Sequence, residues 1–402
     1  SWDAQARFTE MVSARSPEEL ETSTMFETSA YRQLGGVALG IFGGLVFLFA
    51  ARKERRPLGA LGALIFFYLA WNLLSVTWAD DAGLTLRRYA MFFFLCLGAY
   101  GVQHQFSIRQ LEFLTLLIPG FFLLLGVSAE AYNGTLELNP FSQTGYRFAG
   151  TLHPNTQAVY CALTLMAGFS LATSEQRGKL WYWLAVLVAA YFLFLTKSRT
   201  ALLAVVVVIS LHWIFQQSRA LRFAAIAALV GAGIALAIAA PMLSKSLGAV
   251  VRLGRTDLAE STGTLTGRIP VWEQAWEYVE ESPVLGYGYG GFWNEERTRD
   301  FIERQQWPVP HAHNAYLDVM LEAGPLAVIA YFLILLIGIR KGYALWRDTG
   351  NSGYIFLSFI LLFCLLNGFL ESIAIQRSLI TFTCMLVLVT LAHRDAEARE
   401  AA

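Results

Sequence analysis

The sequence predicts an all-α polytopic membrane protein of about 11–12 transmembrane helices, with one long loop that contains short helices. Three observations carry this prediction. Hydrophobic residues make up 56% of the 402 and charged residues only 15%, against roughly a quarter charged in soluble chains. The apolar residues form continuous runs rather than alternating ones, which favours helices over a barrel. Lysine and arginine recur in every second short loop, the pattern that fixes the orientation of spanning helices.

A span needs about twenty mostly apolar residues to cross a hydrocarbon core about 30 Å thick. Residues 1–33 form a polar N-terminal segment. The chain starts at Ser1 rather than Met, and a further span upstream would bring the total to twelve. Eight spans fill 34–241: 34–51, 58–78, 89–103, 111–128, 156–173, 180–195, 201–217 and 223–241. A loop from 242 to 313 follows, then three spans within 314–392 (314–339, 354–370 and 377–392) and a tail from 393 to 402. Fourteen basic residues gather on one side: Arg52, Lys53, Arg55, Arg56, Arg109, Arg177, Lys179, Arg219, Arg222, Arg340, Lys341, Arg347, Arg394 and Arg399. They mark the cytoplasm, so residues 1–33 and the long loop face outside and the tail faces inside.

Composition also excludes some classes. Zero net charge argues against a nucleic-acid partner, which needs a basic surface to meet phosphates. Cys96, Cys161, Cys364 and Cys384 lie inside apolar stretches and read as small apolar side chains, not as a disulfide framework or metal motif.

Basic residues on the outer side run against the orientation rule and so need a reason. Arg87 and Arg88 open the third span, Arg147 precedes a polar stretch, Lys197 and Arg199 fill a tight turn, and Arg268 lies in the long loop. Each alone fits an interfacial anchor that snorkels to headgroups. Gathered on one face they point to an anion pocket, because guanidinium groups meet phosphate oxygens through paired, charge-assisted hydrogen bonds.

In the long loop, residues 267–281 read as an amphipathic helix. Trp272, Ala275, Trp276 and Val279 make one face, and Glu273, Glu277, Glu280 and Glu281 another. Arg268, four residues before Trp272, shares the apolar face, and Thr266 or Gly267 caps the start. After Ser282-Pro283 comes a glycine-rich turn, Gly286 to Gly291, expected to pack aromatic rings. Without a strand before it or a lysine after it, its likeness to a phosphate loop is superficial. His311, His313 and Asn314 lead into the ninth span, which at about 39 Å outruns the hydrocarbon core and places His313 at the outer entry. Gly324-Pro325 should kink this helix. Asp318 and Glu322, deeper on one stripe, must be paired or line a wet cavity. A metal site from His311, His313 and Asp318 and a general base at His313, whose imidazole titrates near about 6.5 when unperturbed, both stay open at this point.

These segments in order resemble the bacterial O-antigen ligase and polysaccharide polymerase superfamily, including exopolysaccharide polymerases. The likeness is carried by residues 78–88 (Trp-Ala-Asp-Asp-Ala-Gly-Leu-Thr-Leu-Arg-Arg), by Gly150-Thr151-Leu152-His153-Pro154-Asn155, and by Ser198-Arg199-Thr200-Ala201-Leu202-Leu203. It continues in Thr266-Gly267-Arg268 with Trp272, in Ser282-Pro283-Val284-Leu285-Gly286-Tyr287-Gly288, and in His311-Ala312-His313-Asn314 followed by Glu322-Ala323-Gly324. It covers about residues 70–335 and departs from the family pattern at Pro325 and Ala327.

The resemblance implies a C-type glycosyltransferase fold in the bacterial inner membrane, multi-pass, with the active site facing the periplasm. The implied donor is an undecaprenyl diphosphate-linked oligosaccharide and the implied acceptor a hydroxyl of a glycan or of a lipid A core, with membrane lipids around the chain and no cofactor. Carried over residue by residue, Arg199 and Arg268 hold the diphosphate and His313 acts near the acceptor. Arg87, Arg88, Arg147, Lys197, His311, Asn314 and Asp318 complete the expected binding set. The chemistry agrees: a departing diphosphate takes negative charge that fixed cations stabilise, and it needs no proton, so the paired carboxylates of glycoside hydrolases are not required. One base opposite the diphosphate, inversion and no metal follow; an acceptor-orienting hydrogen bond is the other role open to His313. Residues 84–88 favour a polymerase of repeat units over a ligase to lipid A core. A lipid-linked oligosaccharide transporter is the reading from another class. It should place key charges near the midplane between repeated or broken helices, and no internal repeat is visible here.

Overall fold

The computed structural model describes residues 30–49, 59–140, 145–174, 177–216, 220–221, 267–307, 309–372 and 378–400. Among them are twelve α-helices and no strand: α1 (Ala30–Phe49), α2 (Gly59–Leu74), α3 (Ala82–Gln105), α4 (Ile108–Tyr132), α5 (Pro154–Ser174), α6 (Lys179–Leu195), α7 (Arg199–Gln216), α8 (Arg268–Glu281), α9 (Glu295–Gln305), α10 (Ala315–Thr349), α11 (Gly353–Asn367) and α12 (Leu379–Glu400). Five helical stretches are long and apolar enough to cross a membrane: Gly59–Thr77, Ala82–Gln105, Ile108–Tyr132, Pro154–Ser174 and Ala315–Thr349. Shorter apolar helices accompany them. The all-α polytopic prediction therefore holds. The span expected at 223–241, the basic run 52–56, residues 1–29, the loop from 242 to 266 and Thr266 as a cap lie outside the described residues.

Two boundaries differ from expectation for local reasons. The third span starts at Ala82 rather than at 89, because the Asp81 carboxylate caps it by accepting from Leu84 N at 2.8 Å. Arg87 and Arg88 consequently sit in its second turn and do not open it. The ninth span continues to Thr349, where Gly350 (φ 71°) ends it in a left-handed cap. Most of the expected loop 340–353 is thus helix.

The chain divides into two compact units. Among the described residues, the first holds those from Thr115 to Leu221, and the second those up to Leu114 and from Gly267 onward. In the first, α5 packs on α6 and α7, and nearly all of its faces are buried. In the second, α3 packs against α1 and α12, and α10 against α2 and α11. Small residues permit the α1–α3 approach: a Cβ at Gly43 would overlap the Leu97 carbonyl.

The described part of the long loop belongs to the second unit and folds around its own aromatic core. Val271, Ala275 and Val279 of α8 and Phe301 of α9 close over Tyr287 of the glycine-rich turn and Phe292 and Trp293 just after it. The buried face of α8 is thus Val271, Gln274, Ala275 and Val279. This corrects the predicted face, since Trp276 stands 53% exposed. The i, i+4, i+8 row won over the bulkier tryptophans because it faces the aromatic turn. Burial, and then the Glu281 carboxylate, push the Tyr287 phenol up to about 12. It therefore stays a donor, bonding Tyr278 O at 2.9 Å. Arg297 lies 4.1 Å from the Tyr287 ring centroid and pairs with Asp80. Replacing the fully buried Phe301 by alanine should cost about 3–5 kcal/mol. The expected readout is faster proteolytic cleavage inside 267–314, with the spanning helices left intact.

Candidate active site

Three elements of the second unit meet at one end of their helices: the start of α8, the start of α10 and the segment after α11. Gly267 (φ 79°) opens α8 without a side-chain cap. That leaves first-turn N–H groups beside Arg268, the first residue of the helix. Arg268 Nη2 donates to Glu371 Oε1 at 2.8 Å, and both side chains are only 12% exposed. The other oxygen, Glu371 Oε2, lies 3.7 Å from His313 Nδ1. That is longer than a hydrogen bond, and Nδ1 is buried with no hydrogen-bond partner among the described residues. One buried carboxylate thus stands between a guanidinium and an imidazole.

The backbone around His313 is fixed by its neighbours. His313 itself is left-handed (φ 53°), rare for a residue with a Cβ. Asp318 Oδ1 accepts from Ala312 N at 3.0 Å and from Trp293 Nε1 at 2.9 Å, while Trp272 Nε1 donates to Ala312 O at 2.8 Å. Asn314 caps α10, its Oδ1 accepting from Tyr316 N at 3.0 Å and Leu317 N at 3.1 Å. Ala315 N donates to Gly368 O at 2.8 Å, which ties the segment carrying Glu371 to the same cap. The His311 ring stands edge-on to His313 at 4.2 Å between centroids, and its Nδ1 accepts from His313 N at 3.3 Å.

The expected binding residues therefore divide. Arg268 and His313 stand on either side of Glu371, and His311 packs against His313. Of the other expected substrate contacts, Asn314 accepts from the first N–H groups of α10, and Asp318 Oδ1 holds the Ala312 N–H and the Trp293 indole. Arg88 also binds backbone, donating to Gly290 O and, at 3.0 Å, to Trp293 O. It fastens the glycine-rich turn to α3, while Arg87, the residue before it, is exposed.

Arg147, Lys197 and Arg199 belong to the first unit. Arg147 bonds Thr196 O at 3.0 Å and Asn155 Oδ1 at 2.8 Å. This joins the segment before α5 to the turn that holds Lys197, which is buried and left-handed (φ 53°). Arg199 begins α7 and is partly buried.

Two carboxylates escaped the sequence analysis. Glu371 lay in a short connection after the tenth span, yet an acid at that end, on the side of the long loop, was a usable signal. Glu130 ends a span in the first unit. Its Oε1 accepts from Ala149 N at 3.0 Å and Gly150 N at 2.6 Å, and its Oε2 from the Tyr146 hydroxyl. It shapes the turn that leads to His153-Pro154-Asn155.

Comparison with known proteins meets this geometry from outside. A family model described as O-Antigen ligase (Wzy_C) matches residues 184–332, a stretch that includes Arg199, Arg268 and His313. The chain is also similar to the exopolysaccharide production protein ExoQ of Rhizobium meliloti (strain 1021). The identity is 26% over 333 residues, covering 78% of this chain and 73% of that protein. Both similarities fall on an all-helical chain with five helices long and apolar enough to cross a membrane, and both point to the O-antigen ligase/polymerase-like family.

Proposed function

We propose that the protein is a glycosyltransferase that moves a glycan from undecaprenyl diphosphate to an acceptor hydroxyl, as a polymerase of repeat units on the periplasmic face of the inner membrane. The family supports a lipid-linked donor and a polysaccharide acceptor in general terms. The observation that carries the reading is Glu371 held between Arg268 and His313.

In the resting arrangement Glu371 neutralises Arg268. An arriving diphosphate competes for the guanidinium fork and frees the carboxylate to turn to His313 Nδ1. Held there, the imidazole keeps its proton on Nδ1 and leaves Nε2 to accept one, the same division of labour as in hydrolytic triads. The acceptor hydroxyl gives its proton to Nε2 as its oxygen bonds the anomeric carbon. The carbon–oxygen bond to the diphosphate breaks on the opposite face, and its electron pair leaves with the carrier. Configuration inverts, and Arg268 meets the charge that develops. Arg199 is proposed as a further diphosphate contact on the strength of its motif.

The test is transfer by the purified chain from a lipid-linked repeat unit, together with surface glycan analysis of a deletion strain. Loss of chain length supports a polymerase. Full-length chains stranded on carrier lipid point instead to ligation onto lipid A core. Glu371→Gln should lower kcat by roughly 10–100-fold while KM for the donor stays level or falls, because the competitor for Arg268 has lost its charge. A rise in KM at constant kcat would give Glu371 to the donor site instead. Orientation is tested by cysteines at the exposed Glu296 and Asp348. They should react with an impermeant reagent from opposite faces of the membrane, and labelling of both from one face would overturn the periplasmic placement.

A further inference from the structure

Helix α9 stops at Gln305, and Gln306 (φ 60°) turns the chain in a left-handed cap whose N–H donates to Ile302 O at 2.8 Å. The next residue, Trp307, is half-buried against the aromatic core of the loop. Its ring centroid lies 5.9 Å from that of His313, at 34° between planes. A Cβ placed on Gly267 would stand 3.8 Å from its Nε1. The indole therefore reaches from the residue before Arg268 to the imidazole. Its N–H also differs from those nearby. Trp71, Trp78, Trp272 and Trp293 each donate theirs to an oxygen of the protein at 2.8 to 3.0 Å. Trp307 Nε1 makes no hydrogen bond among the described residues.

We propose that Trp307 is the platform on which a pyranose ring stacks at the point of transfer. The inference deepens the transferase reading above and rests on it. That reading puts the diphosphate at Arg268 and the acceptor hydroxyl at His313, so the reacting sugars fill the interval that the indole spans. Chemistry selects a sugar as the ligand. A pyranose turns a face of slightly positive C–H bonds to the negative face of an aromatic ring. Hydroxyls around its rim need hydrogen-bond partners when they leave water. An indole supplies both, an apolar face and one N–H donor. A diphosphate finds no cation in it, and a hydrocarbon chain would leave the N–H unpaired. The sugar comes from one of two sources, the acceptor or the donor, and the test separates them.

The full chain is placed in phosphatidylethanolamine–phosphatidylglycerol nanodiscs and oxidised by brief pulses of hydroxyl radical. Oxidation of Trp307 is read by mass spectrometry against Tyr132, which is 92% exposed, so that scavenging by added sugar cancels in the ratio. Three probes are compared: the methyl glycoside of the host strain's repeat unit, the repeat unit on undecaprenyl diphosphate, and bare undecaprenyl diphosphate. The Trp307-to-Tyr132 ratio should fall by about threefold or more when a sugar covers the ring. Protection by the methyl glycoside assigns the acceptor sugar, and protection by the loaded carrier alone assigns the transferred sugar. Equal protection by loaded and bare carrier, or none by any probe, overturns the proposal. As a second measurement, Trp307→Leu should raise KM for the protecting substrate by about tenfold, while Trp307→Phe, which keeps a ring face, should stay within about threefold. A fall in kcat alone, with both KM values level, would make Trp307 a prop for His313 and also overturn it. Protection without transfer from any donor would keep the sugar site and defeat the proposed function. Transfer without protection would do the reverse.

Discussion

His313→Asn should reduce glycan transfer by about 10²–10⁴-fold, the usual contribution of a positioned proton acceptor. Asparagine tolerates the left-handed backbone that His313 adopts (φ 53°). The bonds that fix the segment also avoid the imidazole: Ala312 N to Asp318, Trp272 to Ala312 O, and the Asn314 cap. The variant should therefore fold, reach normal amounts and still bind lipid-linked donor, because the diphosphate contacts proposed above lie on Arg268 and Arg199. His311→Ala should cost far less. Transfer should also persist in chelator. If chelation stops it and a divalent ion restores it, the base assignment gives way to a metal held by His311 and His313. If donor binding disappears with His313, the imidazole belongs to the diphosphate site.

Arg268→Lys should lower transfer by about 10²–10³-fold, the loss expected when a donor aimed at developing negative charge is removed. Charge is conserved in this exchange, but the planar fork is not. An interfacial anchor would tolerate it, since a lysine snorkels as well as an arginine. In a diphosphate clamp the ammonium makes one contact where two were needed. The same exchange at Arg199 should act in the same direction. Both are to be read at matched expression, with donor KM and kcat separated. Near-normal transfer in either lysine variant would return that residue to anchoring. Arg268→Lys also weakens the pair with Glu371. Combining it with Glu371→Gln should therefore cost less than the product of the two separate losses, as expected for residues that share a partner.

Most of the fold was legible because a spanning helix must satisfy its backbone internally and expose apolar side chains to lipid, which writes long apolar runs into the sequence. Ends were less legible. Asp81 moved the start of α3 by a capping bond of a single carboxylate, and no hydropathy average reports such a bond. Arg268 and His313 stood out since charged and titratable groups at the membrane edge demand a reason. Glu371 did not, because its meaning depends on a contact with Arg268, 103 residues away in sequence. Asn314 and Asp318 show the opposite difficulty. Their polarity suggested ligands, and sequence alone does not report that Asn314 also caps a helix start and that Asp318 also holds a loop N–H and the Trp293 indole.

The break at Gly324 has a consequence for any exchange of parts between related chains. There α10 leaves helical geometry (φ 73°, ψ −176°), and a Cβ at this glycine would overlap the Val284 carbonyl. The nine residues before the break, 315–323, are bonded to the loop and to α2: Tyr287 N to Leu321 O at 2.9 Å, Trp71 Nε1 to Ala323 O at 2.8 Å. The boundary of a transplantable cassette is therefore Gly324, well inside the helix, and not Asn314, where the helix begins. A graft cut at 314 would import an aromatic core whose floor, Leu321, stays behind in the recipient. A graft cut at 324 would bring the floor, the cap and the histidine together, and acceptor preference, if it resides in this part, should travel with the longer piece and be lost with the shorter one.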